Sequence, residues 1–326
     1  MEAVDYVVVG GGAAGVGALE ELQRAGVSSV VLLEGRATLG YTLSWMKHFT
    51  FPADTNGRSE ALTGAQFRER YLAPYEENEA VRLGRRVFSV DLAGGAAPGA
   101  TPVGAAAGTL DVITPDKRHE QIQFNHLILA HGAVQVLFGR YLLPGKRTNR
   151  MFTSYQAGEM MEHYPFLPGN ELVFFGESAY TVETARAAKE NGIASAIVSP
   201  TSFSQRSRDQ LPDVPLYENA TLTALTGDAV FTGIEIEHGG SSKHVAGDAI
   251  VVDGDFVLER QWRDMLSVTW DLEAGKTAVP EAHPARRHFA LVGDALEPSP
   301  DFVAQYRAAR TAVRDIPAPA GVEFRR

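Results

Sequence analysis

Gly10, Gly12 and Gly15 stand at the spacing G-x-G-x-x-G, and an acid, Glu34, follows nineteen residues after the third glycine. In that pattern the first glycine permits a tight turn, the second lets the main chain approach a pyrophosphate, and the third lets a helix pack against a strand. A carboxylate at the end of the following strand would accept hydrogen bonds from a ribose diol. The helix N-terminus would turn free N–H groups and the positive end of its dipole toward the phosphates. Two histidines, His48 and His131, offer imidazoles that titrate near neutral pH and could move a proton; a structural role stays open for each. Tyr41, Trp45 and Tyr155 could form an aromatic wall for a substrate.

The chain has 326 residues and no cysteine. That removes disulfides, thiolate metal sites, thiol nucleophiles and any dithiol relay together, so redox chemistry would have to belong to a bound cofactor. No metal site is read from the sequence.

The elements that must position these groups are legible around them. Tyr6–Val9 is an apolar run fit for a buried parallel strand, 13–25 is helix-forming, and Val30–Leu33 is a second apolar strand, which together make one βαβ unit. The segment after Glu34 carries Tyr41, Trp45, His48, Phe49, Phe51, Asp54 and Asn56, and is expected to form a wall facing the ligand. A helical stretch follows near Ala65–Glu77. Strands are expected at 85–92 and 109–114, joined by an Ala/Gly/Pro spacer at 93–108, and a further strand at Leu127–Ala130 runs into a glycine turn.

A second βαβ unit is expected over 171–200, with a strand at Leu172–Phe175, a helix at Val182–Glu190, Gly192 as its stop, and a strand at Ala196–Val198. Its glycine pattern has decayed to Gly176, Ser178 and Thr181. Ser178 puts a side chain where backbone should meet pyrophosphate, and Glu177 adds negative charge. Its second strand ends at Ser199 rather than at an acid, with Arg206 and Arg208 farther on as candidates for contacting a 2′-phosphate. A purely structural second half is the competing reading. A β-meander with a hairpin at Gly239–Gly240 is expected over 221–255, a short helix over 261–269, and a turn at HPARR, 283–287. A strand at Phe289–Val292 ends at Gly293-Asp294. Ser299-Pro300 then suits the N-cap and first turn of a helix from 301 to about 313.

Hydrophobic residues make up 44% of the chain, enough for two domain cores. A formal net charge of −10 and a sequence pI near 5.4 argue against a nucleic-acid partner. No apolar run reaches the length of a membrane span, which leaves the cytoplasm as the expected location.

Taken in order, these motifs resemble the thioredoxin reductase-like branch of the two-dinucleotide-domain FAD oxidoreductases. The likeness rests on the N-terminal fingerprint with Glu34, on Ala130-His131-Gly132 in place of the usual Ala-Thr-Gly, on Pro144-Gly145, on the second βαβ unit, and on Gly293-Asp294 before the last helix. The resemblance implies an α/β fold of two Rossmann-like dinucleotide-binding domains, each with a small β-meander. A discontinuous FAD-binding domain, 1–145 and 280–326, would be interrupted by an NAD(P)-type domain, 150–275.

The resemblance further implies that FAD lies against Gly10, Gly12, Gly15 and Glu34, with Ala13, Ala14, Gly35, Arg36, Ala130 and Gly132 beside them. Asp294 after Gly293 would hold the ribityl chain, and the helix N-terminus around Phe302 and Val303 would direct N–H groups to the flavin. The family's Cys-x-x-Cys pair has no counterpart near Met151–Tyr155, so disulfide reduction is not expected. The decayed pattern at Gly176, Ser178 and Thr181 leaves the use of NAD(P)H open. The stretches around His131, Tyr155 and Ser178-Ala179-Tyr180 are also locally similar to the FAD subunits of amine oxidases such as sarcosine and opine oxidases.

The expected function is an FAD-dependent oxidoreductase of a small organic substrate, with dioxygen or another acceptor reoxidising the flavin. Two alternatives stand beside it: an NAD(P)H-dependent flavin reductase serving a ferredoxin-like redox partner, and an FAD-holding, non-catalytic subunit of a heteromeric oxidase. A homodimer is expected by family habit.

Overall fold

A computed structural model describes residues 1–55, 58–92, 106–136, 143–146, 148–164, 166–211, 213–271, 274, 276–279, 288–314 and 316. Most of the spacer at 93–108, Asn56 and the turn at 283–287 lie outside them, as does the side chain of Asp54. The chain divides into two compact units. Unit 1 comprises Met1–Ser44, Phe51–Val134 and Val257–Arg326, and unit 2 comprises Trp45–Thr50 and Gln135–Phe256. Three segments thus fall differently from the expected boundaries: 45–50 and 135–145 go with unit 2, and 257–275 with unit 1.

Unit 1 opens with strand β1 (Glu2–Val9), helix α1 (Ala13–Arg24) and strand β2 (Val30–Glu34). Next come β3 (Val81–Leu83), β4 (Arg86–Leu92), β5 (Gly108–Ile113) and β6 (His119–Leu129). The sheet order is β3-β2-β1-β6-β5-β4, parallel across β3-β2-β1-β6 and antiparallel across β6-β5-β4. The expected helix near 65–77 is a run of short turns: an α-turn at Gly64–Phe67, a π-turn at Arg68–Leu72 and a 3-10 turn at Ala73–Glu77.

The chain then builds unit 2 from β7 (Met151–Thr153), α2 (Ser154–His163), β8 (Glu171–Phe175), α3 (Ala179–Glu190), β9 (Ala194–Val198) and β10 (Ala249–Val252). Its parallel sheet runs β7-β10-β8-β9, with Leu216–Tyr217 at the β9 edge. The antiparallel meander is three-stranded, Thr221–Thr226, Gly233–His238 and Ser241–Ala246. Ala249–Val252, expected to continue the meander, instead enters the parallel sheet between β7 and β8. Its four residues are all buried, as a central strand covered on both faces requires.

The return to unit 1 consists of α4 (Arg260–Leu266), β11 (Phe289–Leu291) and α5 (Phe302–Val313). β11 pairs in parallel with Leu127–Leu129 of β6, on the edge whose earlier residues pair with β5. Val7, Val9, Val31, Leu33, Leu127 and Leu129 share one core with Leu258, Trp262 and Leu266. That core is why 257–266 belongs to unit 1. Tyr6, Val8, Leu32 and Ile128 alternate onto the opposite face and are fully buried too.

α1 and α5 pack closely. A Cβ on Gly17 would fall 2.5 Å from the backbone oxygen of Tyr306. The pair is tied by Tyr306 donating to Glu20, and by Arg310 and Arg314 donating to the buried Glu21 at 3.1 and 2.8 Å. Because the obstacle at Gly17 is main chain, Gly17→Ala must push two helices apart. The expected loss is about 1–3 kcal/mol, the usual range for overpacking, read as a lower urea midpoint with an unchanged slope.

Candidate functional site

The turn between β1 and α1 is built by close backbone approach. Gly10 adopts φ +108°, and a Cβ there would lie 2.4 Å from the carbonyl oxygen of Ala130. A Cβ on Gly15 would lie 1.8 Å from the carbonyl oxygen of Gly10. Gly12 differs from both: its φ of −77° suits any residue, and its missing Cβ would meet nothing within 4 Å among the described residues. Gly12 is the N-cap of α1, and among the described residues no side chain caps it. Its lack of a side chain therefore leaves space in front of the first-turn N–H groups, as a pyrophosphate requires.

Glu34 closes β2 as the spacing predicts. One carboxylate oxygen accepts from the Gly11 N–H and the other from the Arg36 N–H, each at 2.6 Å. Burial raises its pKa, opposed by the hydrogen bonds from Arg36 and Gly11. Both oxygens are thus held in fixed directions, ready for a diol. Ala13, Ala14 and Ala130 are buried around the turn, Gly35 and Gly132 have open space at their missing Cβ positions, and the Arg36 guanidinium lies over the Tyr41 ring at 4.2 Å.

At the end of β11, Gly293 takes φ +63°, and a Cβ on it would lie 2.4 Å from the Ala14 methyl. Asp294 then accepts the Ser299 N–H at 2.9 Å and the Gln305 side-chain amide at 3.1 Å on one oxygen. Burial pushes its pKa up to about 6, opposed by the Ser299 hydrogen bond. The N-cap of α5 is Asp301, which accepts from Ala304 N–H, rather than Ser299; Ser299 instead accepts from Asp301 N–H. The side chain of Phe302 is buried against Phe51 and Phe67, and its N–H is engaged by the Pro300 carbonyl; Val303 is buried as well. Phe302 is therefore a packing residue of this turn rather than a free donor.

His131 stacks on Trp262 at 4.7 Å between ring centroids. Its Nε2 is buried with no hydrogen-bond partner among the described residues, and burial pulls its pKa down to about 4. The ring is neutral at physiological pH, so it can accept a proton weakly but has none spare to donate as an acid. His48 belongs to unit 2, where its Nε2 lies 3.4 Å from Glu190 and 3.9 Å from Glu183.

Unit 2 repeats the turn with different occupants. Gly176 has φ +136°, and a Cβ on it would lie 2.4 Å from the Cβ of Asp253. Ser178 is the N-cap of α3 and its hydroxyl accepts from Tyr180 N–H. One Asp253 oxygen accepts from Ser178 N–H at 3.0 Å and from the Thr181 hydroxyl at 2.9 Å, while the other accepts from the Gln135 amide at 3.0 Å. Burial raises the pKa of Asp253, opposed by bonds from Ser178 and Thr181 and reinforced by the charge of Glu177. Ser199 donates its hydroxyl to Glu177 at 2.8 Å. The two arginines are also engaged: Arg206 donates to the Thr50 carbonyl and covers the Phe49 ring, and Arg208 pairs with Glu218 at 2.8 Å.

Of the aromatic candidates, Trp45 and Tyr155 come together at 5.4 Å, joined by Tyr180 and Phe256, all in unit 2. Tyr41 stays in unit 1. Trp45–Thr50 is held in unit 2 by Glu183, fully buried on α3, which accepts the N–H groups of Lys47, His48 and Phe49 at 2.5, 3.0 and 2.8 Å. Sequence reading did not single out Glu183, Asp253 or Phe256, and it marked Tyr180 only through the local Ser178-Ala179-Tyr180 similarity. For Asp253 a signal existed, an acid ending a four-residue apolar run; for Glu183, inside an alanine-rich helix, there was none. Among the described residues, no three His, Asp or Glu side chains gather as a metal site, and no helix is long and apolar enough to cross a membrane.

Two Rossmann-like α/β units, one with an open glycine turn, define a dinucleotide-dependent class of protein. The sequence model of the pyridine nucleotide-disulphide oxidoreductases matches residues 4–252, and the chain belongs to that family, whose members are FAD-dependent oxidoreductases. No curated protein sequence gives a significant match. Among solved structures, the chain is similar to the bacillithiol disulfide reductase of Bacillus cereus, with TM-score 0.65, 14% identity, and 96% of this chain and 99% of that one covered. It is likewise similar to the thioredoxin reductase of T. acidophilum, with TM-score 0.64, 18% identity, and 96% and 98% covered. For the ornithine N-hydroxylase of Kutzneria sp. 744 the values are TM-score 0.64, 12% identity, and 95% and 99% covered. At these identities the likeness is one of fold.

The second and third glycines of the turn, Gly12 and Gly15, should separate folding from binding. Gly12→Val is expected to change stability by no more than about 0.5 kcal/mol while the purified chain loses its flavin, read as bound flavin per chain. Gly15→Val, which drives a side chain into the Gly10 carbonyl, should lower stability itself.

A second expectation concerns pH. Because the fold raises the Asp294 pKa from the ordinary 3.8 to about 6, the native state holds this proton longer than the unfolded chain. The cofactor-free protein should therefore lose stability relative to Asp294→Asn as pH rises from about 4 to about 6. The difference should be on the order of 1–3 kcal/mol and level off above, measured by urea unfolding at a series of pH values.

Proposed function

We propose that this chain is an FAD-dependent oxidoreductase of a small organic substrate, working without a redox-active disulfide and taking its electrons from that substrate rather than from NADH or NADPH. The observation that carries the reading is the contrast between the two turns. In unit 1 the helix N-terminus is uncapped among the described residues and has open space before it, whereas in unit 2 the Ser178 N–H, at the position of Gly12, and the Thr181 hydroxyl are engaged by the chain's own carboxylate. The complete absence of cysteine supports the second part of the reading, since a disulfide reductase of this fold needs a thiol pair to pass electrons on.

The residues present suit FAD. Gly12 leaves room for a pyrophosphate on a turn that Gly10 and Gly15 make tight, Glu34 presents fixed acceptors for a ribose, and Asp294 presents a partly buried acid on the turn before α5. Bound FAD would supply the two-electron redox centre, which no side chain of a cysteine-free protein can provide. The chain's own contribution is to bind, orient and hold protons. Asp294, its pKa raised to about 6, holds a proton only below neutral pH and is an acceptor at pH 7, and His131 stays neutral beside Trp262. Dioxygen or a second small acceptor would then return the cofactor to its oxidised state.

The test is an anaerobic titration of the purified yellow protein with NADPH and with NADH, following the flavin band near ~450 nm. The expected result is no bleaching by either nucleotide, and bleaching by a reduced organic substrate found in a screen of small amines, amino acids and alcohols. Rapid stoichiometric bleaching by either nucleotide would overturn the reading in favour of a reductase.

A further inference from the structure

The two units can be superposed residue by residue through their strand registers. In unit 1, Val9 at the end of β1 pairs with Leu129 of β6. In unit 2, Phe175 at the end of β8 pairs with Val252 of β10. The next residue on the neighbouring strand is Ala130 in unit 1 and Asp253 in unit 2. Both stand against the first glycine of their turn: a Cβ on Gly10 would strike the Ala130 carbonyl oxygen and a Cβ on Gly176 the Cβ of Asp253, each at 2.4 Å. By the same count, Gly12 corresponds to Ser178, the two N-caps, and Gly15 to Thr181.

What occupies this one position differs in charge. Ala130 brings a methyl group, and α1 is left uncapped. Asp253 brings a carboxylate that takes the Ser178 N–H and the Thr181 hydroxyl on one oxygen and is steadied on the other by Gln135. These are donors of the kind a phosphate takes at such a turn, N–H and hydroxyl groups at the start of a helix. At the other end of the turn the acid has moved from strand to loop. Unit 1 has Gly11 donating to Glu34, and unit 2 has Glu177 accepting from Ser199. A phosphate approaching α3 would lose two donors to Asp253 and meet the charges of Asp253 and Glu177 together.

We infer that Asp253 is the specificity-determining residue of the second nucleotide fold: its carboxylate stands in for the phosphate of a dinucleotide and so rejects NADH and NADPH. This rests on the functional reading above, in which neither nucleotide serves the enzyme. Asp253 goes further by assigning the rejection to one side chain rather than to erosion of the glycine pattern as a whole.

The experiment is isothermal titration of NADPH and of NADH into the flavin-loaded wild type, Asp253→Ala and Asp253→Asn, with circular dichroism and thermal melting to establish folding. Asp253→Ala copies the residue of unit 1, and Asp253→Asn keeps the shape of the side chain while removing its charge. The wild type is expected to bind with Kd weaker than about 1 mM, and Asp253→Ala at least about tenfold tighter, with Asp253→Asn gaining less but in the same direction. Non-binding by the wild type together with no gain in a folded Asp253→Ala or Asp253→Asn variant would overturn the inference and leave the functional reading standing. Micromolar binding by the wild type would overturn both.

Discussion

The close backbone contact among Gly10, Gly15 and Ala130 is the constraint on which unit 1 depends. Two segments distant in sequence meet there with no room for a side chain, because a Cβ at either glycine would overlap a carbonyl oxygen. The contact lets α1 leave the sheet sharply enough to pack along β1. It also aims the helix N-terminus at the open end of the parallel strands, where ligands of such sheets bind. Sheet order follows, since β6 must lie beside β1 for Ala130 to reach Gly10. β11 then adds to β6 and delivers Asp294 with α5, which is clamped to α1 at Gly17 and Glu21. A dinucleotide cradle and a stable core are thus consequences of the same packing.

Unit 2 repeats this geometry with different polar contacts at its turn. It keeps the parallel sheet, the glycine of positive φ and the helix, yet the polar groups of its turn are paired with one another. Asp253, Ser178, Thr181 and Gln135 form one connected set, and Glu177 with Ser199 forms another. A helix N-terminus needs acceptors, and a carboxylate of the chain meets that need as well as a ligand does. Under the proposed function, the fold of unit 2 serves as structure rather than as a nucleotide site. Gly176, with a φ of +136°, is still required because Asp253 now presses against it.

Glu183 applies the same principle elsewhere in unit 2. It is fully buried and is matched by three consecutive backbone N–H groups at 47–49. Those amides come from a hexapeptide that would otherwise bury unsatisfied donors, so acid and loop each require the other. The contact also brings Trp45 into an aromatic group with Tyr155, Tyr180 and Phe256.

Residues that act through local geometry were legible in the chain itself. The strand–glycine–helix–strand–acid order from Tyr6 to Glu34, the Gly293-Asp294 turn and the second βαβ unit rest on hydrophobic period and on glycine's access to positive φ, both of which are properties of short stretches. Tertiary packing decided the rest. Ala249–Val252 joins the parallel sheet because burial on both faces, not alternation, governs a central strand. The N-cap of α5 moves from Ser299 to Asp301, and Phe302 turns inward onto Phe51 and Phe67. Arg206 and Arg208 find partners in Thr50, Phe49 and Glu218. The emptiness before Gly12 and the fullness before Ser178 depend on the residue presented by a neighbouring strand, Ala130 in one unit and Asp253 in the other. Strand pairing joins positions more than seventy residues apart in unit 2, and no local pattern encodes which side chain it will set against a helix N-terminus.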